Sequence, residues 1–143
     1  MNEALKEAYA SAELDEVPVG AVVVFEDTVI SRAGNRRESK KCATCHAELS
    51  AIEEACRYRR GWRLPDCTLY VTLEPCPMCA GAIINARLPR VVYGASDPKG
   101  GALGSVLDLN EYPFNHHPEI TRGVLAEESR EILSAYFKSK REK

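Results

Sequence analysis

Long apolar runs are missing from this sequence of 143 residues. Its hydrophobic stretches are short and bounded by charges or turn residues, and none approaches the roughly 18 to 20 residues needed to span a bilayer. Residues 1–14 carry acidic side chains where a secretory signal would have a basic start and an unbroken apolar core. These absences predict a chain without a membrane segment, which we expect to be cytoplasmic.

An excess of positive charge is also missing, since the formal net charge is -2. The chain as a whole therefore has no electrostatic attraction for nucleic acid, and an RNA would have to meet a local basic patch. No repeat, linker or low-complexity tract divides the sequence. With 45% hydrophobic residues in 143 positions, the sequence predicts one domain, residues 1–143, with one core.

Cysteine, in contrast, occurs six times. In a chain that is not exported, a reducing environment keeps thiols free. Such cysteines more often bind metal or perform chemistry than form a disulfide framework. A metal site is therefore the first functional hypothesis.

The spacing of apolar residues predicts alternating helices and strands. A helix with one apolar face is predicted at residues 1–14, followed by a hairpin with strands at 17–25 and 28–31. The predicted order continues with a helix at 46–58, a strand at 68–73, a helix at 76–86, a strand at 90–93 and a helix from about 127 to 140. A strand, a helix and a second strand in succession are typical of two parallel strands, so the sequence predicts a mixed sheet with helices on both faces.

Two short motifs match the H-x-E…P-C-x-x-C signature of zinc-dependent nucleobase deaminases. They are His46-Ala47-Glu48 and Pro75-Cys76-Pro77-Met78-Cys79. A catalytic zinc takes three protein ligands and leaves a fourth position open, and one imidazole with two thiolates supplies that number. Cys76 and Cys79 are three positions apart at a predicted helix start, which places both thiols on one face. The sequence predicts one zinc per chain, held by His46, Cys76 and Cys79.

Glu48 lies two residues beyond the histidine ligand. A carboxylate at this position is suited to general acid and base catalysis. It would take a proton from the attacking water and deliver it to the ring nitrogen and the leaving amine. We expect Glu48 to be the catalytic residue and not a metal ligand.

The cysteines also allow an alternative, a structural zinc site with four cysteine ligands. Cys42-x-x-Cys45 and Cys76-x-x-Cys79 would supply them. Residues 46–75 separate the two pairs, a longer interval than the roughly 15 to 20 residues common in such sites. This arrangement leaves His46 and Glu48 without a role and describes a non-catalytic zinc module.

Longer blocks of the sequence resemble the bacterial tRNA-specific adenosine deaminases of the cytidine deaminase superfamily. The blocks are residues 16–22, 69–82, 91–105, Asn115-His116 and Tyr136-Phe137. The resemblance implies a three-layer α/β/α fold with a mixed, mostly parallel central sheet, and a homodimer. It also implies hydrolytic conversion of adenosine to inosine at the wobble position, with a tRNA anticodon stem-loop as the substrate.

By position, the same resemblance implies five residues near the substrate. Asn35 matches an asparagine that contacts the flipped nucleoside, and Val19 matches the pocket wall. Leu73 and Glu74 match residues beside the metal, and Asp97 matches a segment that lies along the RNA. Without the resemblance, Asn35 would be interpreted as a turn residue after Gly34.

The chain differs from the family at two cysteines and has basic patches of its own. The family usually has alanine where Cys45 stands and an acidic residue where Cys42 stands. The candidate phosphate contacts are Arg36, Arg37, Lys40 and Lys41 in a loop, and Lys138, Lys140, Arg141 and Lys143 at the C-terminus. An alternative function keeps the zinc chemistry but acts on a free nucleobase or nucleoside of the guanine or cytosine type.

Overall fold

A computed structural model describes residues 1–142, in which α-helices cover both faces of one sheet. The helices are α1 (Asn2–Glu13), α2 (Ala47–Arg59), α3 (Pro77–Asn85) and α4 (Ala126–Arg141), and the strands are β1 (Gly20–Phe25), β2 (Thr28–Gly34), β3 (Cys67–Leu73), β4 (Arg90–Ala95) and β5 (Glu119–Thr121). Each helix and strand predicted from the sequence is present. Strand β5 was not predicted, because three residues are too few to show an alternating pattern. Lys143, a predicted phosphate contact, lies outside the described residues.

The sheet is mixed, as the sequence predicts. Its strands lie in the order β2-β1-β3-β4-β5. Strand β1 pairs antiparallel with β2 and with β3, whereas β3, β4 and β5 pair in parallel. Among the strands of residues 1–142, four therefore run in one direction and β1 runs against them. The predicted mostly parallel sheet is confirmed.

A turn of two residues joins β1 to β2. Glu26 and Asp27 have φ values of 49° and 59°. Two successive positive φ values are typical of the type I′ turn, whose twist matches that of the flanking strands. The predicted hairpin is confirmed, but β1 begins at Gly20 and not at Val17. Pro18 has no N–H group to donate to a strand ladder.

Alternate side chains of β1 face two layers of helices. Ala21 and Val23 belong to the core that α2 and α3 cover. On the opposite face, α1 packs so closely on β1 that a Cβ atom at Gly20 would clash with the carbonyl oxygen of Ala4. Helix α4 contacts α1 and β4 on that face. The three-layer α/β/α fold is confirmed. Within residues 1–142, no helix combines the length and the apolar character needed to cross a membrane.

Candidate metal centre and active site

Two helices begin at the predicted metal ligands. His46 directly precedes α2 and Cys76 directly precedes α3, each with an extended backbone. Strand β3 ends at Leu73, so the chain passes from the carboxyl end of a central strand into α3 within four residues. The first N–H groups of a helix carry partial positive charge, which favours anionic side chains such as thiolates and carboxylates.

Three ligand atoms converge between these helix starts. The Nδ1 atom of His46 lies 3.6 Å from the Sγ atoms of both Cys76 and Cys79. The ligand atoms of the three residues all lie within 4.8 Å of one another. A nitrogen ligand and a sulfur ligand of one tetrahedral zinc, bound at about 2.0 to 2.1 Å and about 2.3 Å, are about 3.5 to 3.6 Å apart. The donor types and their spacing therefore fit zinc.

The three side chains share protons through hydrogen bonds. Hydrogen bonds with Cys79 and with His46 lower the pKa of Cys76 to about 4, so this sulfur is a thiolate at neutral pH. The hydrogen bond with Cys76, together with burial, raises the pKa of Cys79. The hydrogen bond with Cys76 also raises the pKa of His46. A cation bound by these residues would take the place of the shared protons.

Cys42 and Cys45 are separate from this group. Within the described range 1–142, the group of His, Cys, Asp and Glu side chains arranged to hold a metal consists of His46, Cys76 and Cys79. The Cys42 sulfur instead lies 3.3 Å from the Thr44 hydroxyl. The arrangement therefore favours the predicted ligands over the alternative of four cysteines.

Glu48 lies in the first turn of α2, and its side chain is only 4% exposed. Burial raises the pKa of Glu48 to about 7, although the nearby His46 acts in the opposite direction. A carboxyl group that titrates near neutral pH both accepts and releases protons readily. Glu48 lines the same pocket as His46 and Cys76, so the predicted proton carrier lies beside the predicted ligands.

The pocket at this centre has a volume of about 160 Å³. Its lining includes every predicted site residue except Cys79, which has no exposed surface. The lining residues are Val17, Val19, Asn35, Arg37, His46, Ala47, Glu48, Leu73, Glu74, Cys76 and Asp97. Val17 and Ala47 were not among the predicted site residues. Strand alternation could not have identified Val17, because it lies before β1, where the N–H of Val19 donates to the Val17 carbonyl oxygen at 2.9 Å and closes a γ-turn.

Asn35 both lines the pocket and fixes the loop that follows it. Its Nδ2 donates to the carbonyl oxygen of Val17 at 3.3 Å, and its Oδ1 accepts from the N–H of Arg37 at 3.1 Å. Its own N–H donates to the carbonyl oxygen of Val19 at 3.0 Å. Asn35 therefore stabilises the turn, as its position after Gly34 suggests, and also lines the pocket.

Glu74 also lines the pocket, but its buried carboxylate binds the segment 97–105. It accepts hydrogen bonds at 3.1 Å from the N–H groups of Asp97, Leu103 and Ser105. The hydroxyl of Ser105 donates to the same carboxylate. The family resemblance implies that Glu74 lies near the substrate. Its hydrogen bonds show a second role that the sequence did not indicate, because they hold the segment that contains Asp97.

Glu16 has the same role for the loop before α2. It has no exposed surface. Its carboxylate accepts from the N–H groups of Glu38 at 2.9 Å and Ser39 at 2.7 Å, and from the Ser39 hydroxyl. Two buried carboxylates therefore hold the two loops that border the pocket. This role of Glu16 was not predictable from the sequence, because its partners are 22 and 23 positions away.

Gly101 leaves the space that the Glu74 carboxylate occupies. A Cβ atom at Gly101 would overlap with the carboxyl group. Gly101→Ala is therefore expected to lower the free energy of unfolding by about 1 to 3 kcal/mol, the usual cost of overpacking. Urea denaturation measures this change. Gly61→Ala is the control, because nothing lies within 4 Å of a Cβ atom there. Equal stability of the two variants would contradict the close packing around Glu74.

Comparisons with known proteins identify the family of this chain. The family model of MafB19-like deaminases matches residues 1–141. A tRNA-specific adenosine deaminase from Bacillus subtilis (strain 168) is 51% identical over 144 aligned residues. The alignment covers 100% of this chain and 89% of the relative.

Two solved structures extend the comparison. One structure comes from work on A-to-I editing by tRNA:A34 deaminases at the wobble position of transfer RNA. It is 48% identical in sequence and has a TM-score of 0.90, and the alignment covers 93% of this chain and 97% of the other. A guanine deaminase from Nitrosomonas europaea has a TM-score of 0.77 and 25% identity, covering 94% and 81%. Because the family model and a relative with 51% identity both match, this chain belongs to the MafB19-like deaminase family and to the family of tRNA-specific adenosine deaminases.

Proposed function

We propose that this chain converts adenosine to inosine at the wobble position of a tRNA anticodon, with one zinc ion held by His46, Cys76 and Cys79. The main support is that the pocket at the metal centre continues into a larger groove of about 780 Å³. The residues that line both are Val17, Arg37, Leu73 and Asp97. A base inserted into the pocket would leave its neighbouring nucleotides in the groove.

The groove has the side chains that single-stranded RNA requires. Four of its residues are basic, namely Arg37, Lys99, Arg130 and Arg141. The groove is also lined by Phe137, whose side chain is 44% exposed. Basic side chains attract phosphates, and exposed aromatic rings stack on unpaired bases. This local patch supplies the attraction that a net charge of -2 does not provide.

Only some of the predicted phosphate contacts line the groove. The Nζ atom of Lys140 lies 2.6 Å from Asp15 Oδ2, which neutralises it locally. Lys138 is exposed on α4 outside the groove lining. Arg141, one of the predicted phosphate contacts, lines the groove, and so does Arg130, which was not among them. Positions 130 and 141 are about three helical turns apart and therefore lie on one face of α4.

In the proposed reaction, oxygen from water replaces the exocyclic amino group at C6 of adenine, and ammonia is released. A zinc ion bound by the three ligands would supply the Lewis acidity that makes water nucleophilic at neutral pH. A carboxylate oxygen of Glu48 takes a proton from the water and passes protons to the ring nitrogen N1 and the leaving amine. Val19 and Leu73 give the flat base apolar walls, and the burial of Glu48 limits proton exchange with bulk water.

Deamination of an anticodon stem-loop tests the proposal. The purified chain is incubated with a stem-loop that has adenosine at the wobble position, and inosine is detected by sequencing. Free adenosine, guanine and cytosine are assayed in parallel for ammonia. Inosine in the stem-loop and little ammonia from the free compounds is the expected result. Efficient turnover of a free base without inosine in RNA would overturn the substrate assignment and favour the free-nucleobase alternative.

Binding of the stem-loop should depend on salt through the groove residues. Each phosphate contact contributes about -0.7 to the slope of log affinity against log salt for a single strand. Replacing Arg130 and Arg141 together with alanine should therefore make the slope less negative by about 1.4. Fluorescence anisotropy titrations at several salt concentrations measure it. The control replaces Lys6 and Lys138, which removes the same charge outside the groove. Equal slopes for the two double variants would count against the groove as the RNA site.

We also propose that the chain acts as a single domain and as a homodimer. The dimer is supported by the family resemblance, and the exposed Tyr58 and Trp62 are candidate contact residues. A tRNA substrate further implies a cytoplasmic location. Sedimentation equilibrium measures the assembly, and a monomer at assay concentrations would contradict the dimer.

A further inference from the structure

Two thiols have no part in the metal centre or in the RNA groove. Cys42 and Cys45 lie three positions apart in the loop between β2 and α2. The N–H of Cys45 donates to the carbonyl oxygen of Cys42 at 3.2 Å, which closes a turn over residues 42–45. The first and fourth Cα atoms of such a turn lie within about 7 Å of each other. A disulfide spans about 4.4 to 6.8 Å between Cα atoms, so the backbone already holds the pair at a suitable separation.

The surroundings of the pair favour thiol chemistry. Both side chains are partly exposed, so a small reagent reaches them. Hydrogen bonds with Thr44 and with Cys45 lower the pKa of Cys42 to about 7. A partly exposed cysteine with a lowered thiol pKa is typical of reactive thiols.

The other four cysteines lack this combination of features. Cys67 and Cys79 have no exposed surface. Cys76 is part of the metal centre. Burial raises the pKa of Cys56, which lies on α2. The turn at 42–45 is therefore the place where oxidation is expected first.

We propose that Cys42 and Cys45 form a dithiol site that low-molecular-weight disulfides oxidise reversibly. The Cys42 sulfur attacks one sulfur of the reagent, which forms a mixed disulfide and releases the first reagent thiol. The Cys45 sulfur then attacks the Cys42 sulfur, which closes the internal disulfide and releases the second reagent thiol. The two released thiols carry away the two electrons and two protons that the chain loses. Neither thiol takes part in the proposed deamination, although Cys45 directly precedes the proposed zinc ligand His46.

Thiol mapping of the full chain with the substitution Cys56→Ser tests this site. Trypsin cleaves after Lys41 and Arg57, and in this variant the peptide between them contains no thiol besides Cys42 and Cys45. The zinc-loaded protein is incubated with oxidised glutathione, and the remaining thiols are alkylated. After digestion with trypsin, the mass of the peptide is determined by mass spectrometry. The expected peptide has lost two hydrogen atoms and carries no alkyl group. Treatment with dithiothreitol before alkylation is expected to restore two alkylated cysteines.

Cys45→Ala, made in the same background, is the matched control because it removes the thiol that closes the internal disulfide. This variant is expected to stop at one glutathione adduct on Cys42. If the chain with both thiols also stops at a stable adduct, Cys45 does not reach Cys42 and the proposal is wrong. Two thiols that stay free under these conditions, or oxidation at Cys76 or Cys79 in their place, would also overturn it.

Discussion

Glu48→Gln is expected to lower the turnover of the anticodon stem-loop by about 10²- to 10⁴-fold, the usual contribution of general acid and base catalysis. Glutamine has nearly the same shape and fits the same buried position. Its amide neither accepts a proton from water nor delivers one to adenine at neutral pH. Single-turnover formation of inosine measures the chemical step, and the zinc content of the same preparation is determined by elemental analysis. Zinc is expected to stay at the level of the unaltered chain.

Glu54→Gln is the control for this variant. It makes the same substitution on the same helix at an exposed position, and it should keep the rate of the unaltered chain. If Glu48→Gln keeps both its zinc and most of its rate, Glu48 does not transfer the protons. If the variant loses its zinc, Glu48 contributes to metal binding and the proposed division between ligands and catalytic residue is wrong.

His46→Ala is expected to abolish turnover and to reduce bound zinc from one ion per chain to a small fraction of that. The substitution removes one of three donors from a set in which Nδ1 lies 3.6 Å from both sulfurs. Two thiols do not supply the three protein ligands of a catalytic zinc site. Elemental analysis after gel filtration measures the metal, and inosine formation measures the activity.

His117→Ala serves as the control for the loss of an imidazole. His117 is exposed and does not line the pocket, so its replacement should leave zinc content and rate unchanged. A His46→Ala variant that retains one zinc would show that other residues complete the site. The structural site with Cys42 and Cys45 as ligands predicts that outcome, so the experiment separates the two interpretations of the cysteines.

The grouping of the candidate metal ligands and Glu48 was predictable because each half of the group is local in sequence. His46 and Glu48 are two positions apart at one helix start, and Cys76 and Cys79 are three positions apart at another. Helix periodicity places residues at such spacings relative to each other without any knowledge of the fold. The succession of strand, helix and strand likewise made the parallel pairing of β3 and β4 predictable.

The groove beside the pocket and the two loop anchors were not predictable in the same way. Lys99 and Arg130 line one groove although they are 31 positions apart, and Glu74 holds amides between 23 and 31 positions away. No periodicity links residues at such distances. A charged residue on a helix has the same local pattern whether it faces the groove, as Arg130 does, or stays outside it, as Lys138 does.

The sequence by itself therefore determined the order of helices and strands and predicted the candidate metal ligands and the candidate proton carrier, because these depend on residue chemistry and short spacings. Tertiary structure alone decided that Glu16 and Glu74 serve as buried anchors for the loops at the pocket. It also decided which basic side chains line the groove. The reason is physical: a carboxylate or a cation acts through the groups that surround it, and the packing of distant segments determines those groups.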